Sequence, residues 1–289
     1  LYPSAIGKWD LALYGEYDAV RWTNFYGTGN ETQMVTKDAQ FHRLRSREWY
    51  ASLGLIRQFG KNVVSIKGFY QDVKNLDDTG RYVSKVYHFV NPEVYEANPY
   101  AGAELSYTFS TLNDSIVPVK GFAFLTTGTM ANNFKQKEFF QKYEAHMRAF
   151  LPITRHISLA VRAGGGTVVN DAVLGSGQQY QHTIIGGGRS LRGYRRERFW
   201  GQTAYYNQNE LRFITDFKSK IMNGKIGIFG FFDNGRVWMP GEESNKIHIG
   251  YGPGLLLAPF NKISATITYS ISEELRVIQV RIDSKLFAK

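Results

Sequence analysis

The chain has 289 residues, a formal net charge of +10, 43% hydrophobic and 15% aromatic content, and no cysteine. Without cysteine, disulfides and thiolate metal sites are excluded, and without a run of about 18 consecutive apolar residues no helix can cross a bilayer. A positive excess of this size would suit nucleic acid, but it concentrates in one Gly-rich stretch and at alternating strand positions, which points to a basic lumen and no nucleic-acid partner.

Strict alternation of apolar and polar residues marks a series of long strands. Leu1-Tyr2-Pro3 opens on neither a charged n-region nor an apolar h-region, and reads as the start of a mature or truncated product. The first predicted strand, 7–17, sets Trp9, Leu11, Leu13 and Tyr17 against Asp10, Tyr14 and Glu16. Residues 23–38, which include Phe25-Tyr26-Gly27-Thr28-Gly29-Asn30, form a long loop. A strand over 40–59 carries Trp49, Ala51, Leu53 and Leu55 opposite Ser46, Glu48, Tyr50 and Ser52, and Gly60-Lys61 turns it into a strand over 63–73. A second long loop, 74–99, is broken by Asp77-Asp78, Asn91-Pro92 and Asn98-Pro99. The strand over 100–109 alternates Ala101, Ala103, Leu105, Tyr107 and Phe109 with Gly102, Glu104, Ser106 and Thr108. After a turn at Asn113-Asp114, residues 117–129 form a less regular strand, with Phe122 and Phe124 on the face expected to be polar. The strand over 138–151 is clearer: Phe139, Tyr143, Ala145, Met147, Ala149 and Leu151 oppose Lys142, Glu144, His146 and Arg148. Pro152 ends it, and a strand over 157–169 follows. The later strands, 203–217, 225–238, 247–257, 263–271 and 275–287, alternate most sharply, as in Ile263, Ala265, Ile267, Tyr269 and Ile271 against Ser264, Thr266, Thr268 and Ser270.

That makes about twelve strands, most of ten residues or more, each with one apolar and one polar face. Soluble strands average about five or six residues, whereas transmembrane strands need about 9–11. The fold expected is therefore all-β, an antiparallel transmembrane β-barrel, and a mean hydropathy of −0.32 agrees because only every second residue meets lipid. A soluble sandwich has no need of such length. Short turns at 60–61, 112–115, 152–155 and 258–261 belong on the periplasmic side, and longer loops on the extracellular side. Between two strands lies the stretch 186–201, GGGRSLRGYRRERFWG, with Arg189, Arg192, Arg195, Arg196 and Arg198. It is too rich in glycine for a stable helix and too basic to face lipid. It must face solvent or fold into the lumen, and we expect a lumen loop over 186–203.

Leu191-Arg192-Gly193-Tyr194 in that loop, followed on a later strand by Phe231-x-Asp233-x-Gly235, resembles the BamA/TamA-type outer-membrane surface-antigen barrel family. That family also includes two-partner-secretion transporters and barrels fused to patatin-like or phosphoesterase domains. The resemblance implies that the loop tucks into the barrel, with Leu191, Arg192, Gly193 and Tyr194 at its tip and Phe231, Asp233 and Gly235 on the receiving strand. Alternation puts those last three on one face; if that face lines the lumen, Asp233 can pair with Arg192 as a guanidinium–carboxylate fork. Gly193 would then allow close backbone approach and Gly235 would leave room for it. Taken singly, the same residues read equally as a solvated arginine and a simple turn.

The resemblance further implies one barrel domain over 1–289, lying in a bacterial outer membrane as the C-terminal part of a sixteen-strand barrel. The strand 7–17 would correspond to the fifth of the sixteen, and 275–287 to half of a seam between first and last strands. No POTRA repeat occurs within the chain, and Phe287 is followed by Ala288-Lys289 where family members end on an aromatic. The implied function is insertion or export of proteins across the outer membrane, with outer-membrane lipids, client outer-membrane or secreted proteins and accessory lipoproteins as partners. The rival is a membrane-anchor or translocator barrel for a fused periplasmic hydrolase, which Gly7-Lys8-Trp9-Asp10-Leu11 and 27–32 resemble; a third class is a passive diffusion channel. Catalysis finds no support. The six histidines have no paired metal-ligand spacing, Gly164-Gly165-Gly166 and Gly186-Gly187-Gly188 lack the lysine of a phosphate loop, and Gly175-Ser176-Gly177 lacks nucleophile-elbow spacing. Glu144 and His146 share the predicted lumen face and read as a structural pair. No enzyme activity, metal site or cofactor is expected.

Overall fold

In a computed structural model, which describes residues 1–89, 92–135, 137–170, 182–219 and 222–284, the alternating stretches become one antiparallel sheet. Its strands are β1 (Tyr2–Ile6), β2 (Trp9–Asn24), β3 (Arg43–Phe59), β4 (Asn62–Leu76), β5 (Ala97–Ser110), β6 (Gly121–Asn133), β7 (Glu138–Pro152) and β8 (Ile157–Asn170). After a small ribbon of β9 (Thr183–Ile185) and β10 (Phe199–Gly201) come β11 (Thr203–Lys218), β12 (Asn223–Trp238), β13 (His248–Pro259), β14 (Ile263–Ser272) and β15 (Arg276–Ser284). The thirteen strands of the main sheet pair in chain order, with β11 beside β8 and the ribbon left out. Among the described residues no pairing joins β1 to β15.

The twelve long strands are those the alternation predicts, and their two faces have opposite chemistry. Leu13, Leu53, Leu105, Leu211, Leu255 and Ile278 are exposed on the outer face, where apolar pairs such as Leu255↔Ile267 and Tyr269↔Ile278 meet across strands. Such a belt has a physical rationale only against lipid. The inner face buries polar groups instead, among them Glu48, Gln71, Gln208, Glu210, Asp233 and Thr268.

Differences from the sequence reading occur where alternation breaks. β2 continues past Tyr17 to Asn24, across a register irregularity between Asp18 and Arg21. β5 starts at Ala97 and takes in Asn98-Pro99, because Asn98 is a lumen residue whose side-chain oxygen accepts from Asn133 Nδ2 at 3.0 Å. Phe122 is on the outer, lipid-facing side of β6, as is Phe124, paired with Met147, while Leu125 faces the lumen opposite His146. The inner face there, not the outer one, breaks the expected pattern. The short β1 pairs β2 through only a brief irregular register, too little to show periodicity.

Two connections fold inward. The one expected as a turn over 112–115 spans 111–120, held by Asn113 Oδ1, which accepts the amides of Val119 (3.1 Å) and Lys120 (3.0 Å). It buries Val117 against Ile214, Phe229, Phe231, Leu256 and Ala258, so the periplasmic end of the lumen is crossed from β5–β6 to β11–β13. The loop expected over 74–99 contains the helical turn α1 (Tyr82–Lys85) and 3-10 turns at Tyr87–Phe89 and Pro92–Tyr95. Its Val83, Tyr87 and Val94 are buried with Phe25, Leu44 and Trp200, forming a cap at the extracellular end. Asn91, Gly175-Ser176-Gly177 and 285–289, including the end of the predicted last strand and Phe287-Ala288-Lys289, lie outside the described residues.

The lipid assignment of the outer face sets an expectation for Leu255. Leu255→Arg should destabilise the folded protein in phosphatidylcholine vesicles by about 2–4 kcal/mol, measured by denaturant unfolding, because it places a charge against hydrocarbon.

Candidate functional site

The arginine loop is suspended from the ribbon, in which Phe199, Trp200 and Gly201 pair with Ile185, Ile184 and Thr183. Leu191 N–H donates to Gly187 O at 2.9 Å and closes a turn that Ser190 Oγ supports by accepting from Gly186 N–H at 2.8 Å. Leu191, Tyr194 and Phe199 are buried with Ile185, Ala204, Tyr206 and Val237, so the loop carries its own small core onto the β11–β12 wall. The basic side chains of the loop are thereby sorted. Arg192 and Arg198 point inward and are buried, while Arg196 is largely exposed.

Arg192 sits at the centre. Its Nε donates to Asp233 Oδ2 at 2.7 Å and its Nη2 to Asp233 Oδ1 at 2.6 Å, the bidentate fork. Its backbone N–H also reaches Asp233 Oδ2 at 3.0 Å, and its Nη1 reaches Glu210 Oε1 at 2.5 Å. Glu210 is shared with Arg212, whose Nε donates to Oε2 at 2.6 Å. Gln208 Nε2 adds a bond to Asp233 at 3.2 Å. Beneath the guanidinium, the Phe231 ring lies 3.9 Å from its central carbon, a favourable stacking for a desolvated arginine. Two cations thus face two anions in a largely buried group; Asp233 is fully buried and Arg192 3% exposed. Such a set is tolerable only when complete, and removing one member leaves a buried charge unmatched.

The loop tip is also fixed to the last strands. Ser272 Oγ donates to Gly193 O at 2.8 Å, and Gln279 Nε2 donates to Tyr194 O at 3.2 Å. Tyr194 has ring contacts to Phe199 at 5.3 Å and His248 at 5.6 Å. Gly193 has φ +91°, and a Cβ there would press on Ile271 O at 3.1 Å. The close approach that the sequence suggests for Gly235 falls instead to Gly250, where a Cβ would lie 1.8 Å from Arg192 O. Gly235 makes room for the ribbon, with Ile185 Cδ1 at 3.2 Å from such a Cβ. In the stretch 203–217, alternation sets Glu210 with Gln208 and Arg212 opposite Leu211 and Phe213, on the polar face. Nothing local shows that Glu210 shares Arg192 with Asp233; Gln279 falls on the polar face of the last strand with no sign of its bond to the loop, and Gly250 and Ser272 carry no local signal.

Above this group, residues 25–32 cross the extracellular mouth. Gly29 N–H donates to Trp200 O at 2.8 Å, and Asn30 Oδ1 accepts the Val237 amide at 3.1 Å. Arg198 closes the contact with Nη1 to Thr32 Oγ1 at 2.8 Å and Nη2 to Glu274 Oε1 at 2.7 Å. Its guanidinium lies 4.7 Å from the Tyr26 ring, which in turn stacks on His42 at 4.2 Å. Burial lowers the pKa of His42 from 6.5 to about 4, with the Arg198 and Arg195 charges acting in the same direction.

The sequence matches the Omp85 superfamily domain over residues 14–279. No functionally curated protein matches it. Among solved structures the chain is similar to BamA from Haemophilus ducreyi lacking POTRA domains 1–3, with a TM-score of 0.67 and 15% identity over 97% of this chain. The chain spans 59% of the length of that BamA chain.

Three outcomes follow from the geometry. Asp233→Asn should cost about 3–5 kcal/mol in denaturant unfolding, since Arg192 and Arg212 would then share one carboxylate. Gly250→Ala changes no charge, yet should speed hydrogen exchange at the Arg192 and Gly193 amides roughly tenfold or more, because the tip can no longer seat. For the cap, a histidine with a lowered folded pKa contributes stability that is full above about 6.5 and is lost as pH falls toward about 4. Protection of the Phe25 amide, bonded to His42 O at 2.8 Å, taken relative to its intrinsic exchange rate at each pH, should therefore fall across that window in the wild type and much less in His42→Phe.

Proposed function

The chain belongs to the Omp85 superfamily of integral outer-membrane barrels, and on that premise we propose that residues 1–289 form one barrel domain that inserts proteins into the outer membrane or exports them across it. Residues 186–203 serve as its lumen loop. The observation that carries this reading is the complete, buried Arg192–Asp233–Glu210 group, which holds the loop inside the sheet. The same loop bonds to Ser272 and Gln279, so its position and that of β14 and β15 are mechanically linked. Displacing the loop would loosen the C-terminal strands, and seating it would fix them. β15, whose described residues pair only with β14, would supply one half of a seam at which client strands could pair by backbone hydrogen bonds. The work is mechanical and non-enzymatic. Client outer-membrane or secreted proteins, outer-membrane lipids and accessory lipoproteins are the partners this role calls for.

A second reading is favoured by the strap over 25–32, which contains the stretch 27–32 that resembles barrels fused to periplasmic hydrolases. It ties the β2–β3 connection to Trp200, Val237 and Arg198 and so resists opening, as suits a membrane anchor or translocator for a hydrolase domain.

The test uses the natural full-length protein in lipid vesicles and follows protease protection of a denatured outer-membrane barrel client. Wild-type protein should speed client insertion, and Arg192→Ala and Asp233→Ala should each slow it several-fold while exposing the loop to exchange. Both variants matching wild type in rate and loop protection would end the assembly reading. A hydrolase motif encoded upstream of Leu1, with no client insertion by wild type, would favour the anchor.

A further inference from the structure

Below the arginine loop, toward the periplasmic ends of the strands, the lumen holds a cavity of about 1140 Å³. Most charges in its wall are matched: Arg192 by Asp233 and Glu210, Arg196 by Glu197 and Arg281 by Asp283. Arg148, Arg162 and Arg189 are not, for none has a carboxylate partner among the described residues. Arg148 on β7 and Arg162 on β8 are direct cross-strand partners on the lumen face. Like charges so placed repel, their Cβ atoms being about 4.5–5.5 Å apart; Arg281 lies within electrostatic reach of Arg162 as well, and so does Glu210, which offsets part of the repulsion without pairing with Arg162. Arg189 reaches the cavity from the loop above, its backbone oxygen 3.5 Å from Arg162 Nη1. The two carboxylates in the wall, Glu210 and Glu197, are already engaged.

We infer that Arg148 and Arg162, with Arg189 from the loop, form a binding site for a phosphoryl oxyanion. Two guanidinium forks side by side present several donors to one centre, which a dianionic, multi-oxygen group satisfies and a single carboxylate does not. The tyrosine hydroxyl of Tyr206, 3.2 Å from His146 Nδ1, adds a neutral polar group to the same wall. The space exceeds that of one phosphate and admits the body that bears it, either a lipid headgroup or a soluble phosphate compound. Because Arg189 belongs to the loop and Arg148 and Arg162 to the wall, the anion bridges them and favours the seated loop.

The experiment takes the natural full-length protein in neutral detergent micelles free of phosphate and sulfate and titrates inorganic phosphate and pyrophosphate by calorimetry. Wild type should bind one anion per chain saturably, and phosphate should slow exchange at the loop amides. Arg148→Gln and Arg162→Gln together should weaken binding at least about tenfold, the corresponding pair of lysine substitutions should restore part of it, and Arg276→Gln, outside the cavity, should leave it unchanged. Without anion the glutamine pair should be at least as stable as wild type, since it removes a repulsion; if that pair does not fold, each single glutamine variant gives the same readout. Displacement of bound phosphate by nanodiscs containing phosphatidic acid, and not by phosphatidylcholine alone, would identify a lipid headgroup; no displacement would identify a soluble anion. No saturable binding to wild type, or equal binding to the glutamine variants, would overturn the site.

Discussion

A guanidinium as fully buried as that of Arg192 needs carboxylates to meet it, and it meets two. Asp233 takes its Nε and Nη2 in a fork, and Glu210 takes the remaining nitrogen while also neutralising Arg212. The set balances two positive groups against two negative ones, so the loop can be buried without a net charge at its tip. Once it is seated, the apolar side chains beside it, Leu191, Tyr194 and Phe199, complete a core on the same wall. The charge pairs fix where the loop sits, and the apolar contacts account for much of the area it covers.

The inside of the sheet is crossed at three depths. The strap over 25–32 joins the β2–β3 connection to β12 and β13 at the extracellular mouth, the arginine loop joins β11 and β12 to β14 and β15 in the middle, and the connection over 111–120 joins β5–β6 to β11–β13 at the periplasmic end. Each crossing links strands that are not neighbours in the sheet. A sheet whose first and last described strands do not pair with each other is thus braced from within, and a change in any brace is felt at distant strands. Such a layout suits a barrel whose task is to change shape under control, and it also suits one that must stay shut.

Much of this was legible in the sequence because the two faces of a membrane-spanning strand meet different solvents. Ile263, Ala265, Ile267, Tyr269 and Ile271 against Ser264, Thr266, Thr268 and Ser270 could hardly belong anywhere else, and β14 is found there. The pairing of Arg192 with Asp233 was suggested by motif and resemblance, and the fork is present in the structure. What escaped depends on contacts between residues far apart in the chain. Val117 reads as the start of a strand, yet it is seated against Phe229 and Leu256 in the lumen base. Gly250 is one of many strand glycines until Arg192 O is placed beside it. The polar Asn98 reads as a breaker in sequence, where a lumen-facing asparagine and a loop asparagine look alike, yet it lies within β5.

The most direct measurement is a double-mutant cycle on Arg192→Ala and Asp233→Ala, with unfolding free energies taken in lipid vesicles. If the pair seats the loop, the two substitutions should be strongly non-additive, with a coupling of about 1–3 kcal/mol. Additive losses, with coupling near zero, would mean that the loop is held by its apolar core and the ribbon alone, and the account of a charge-latched lumen loop would be contradicted.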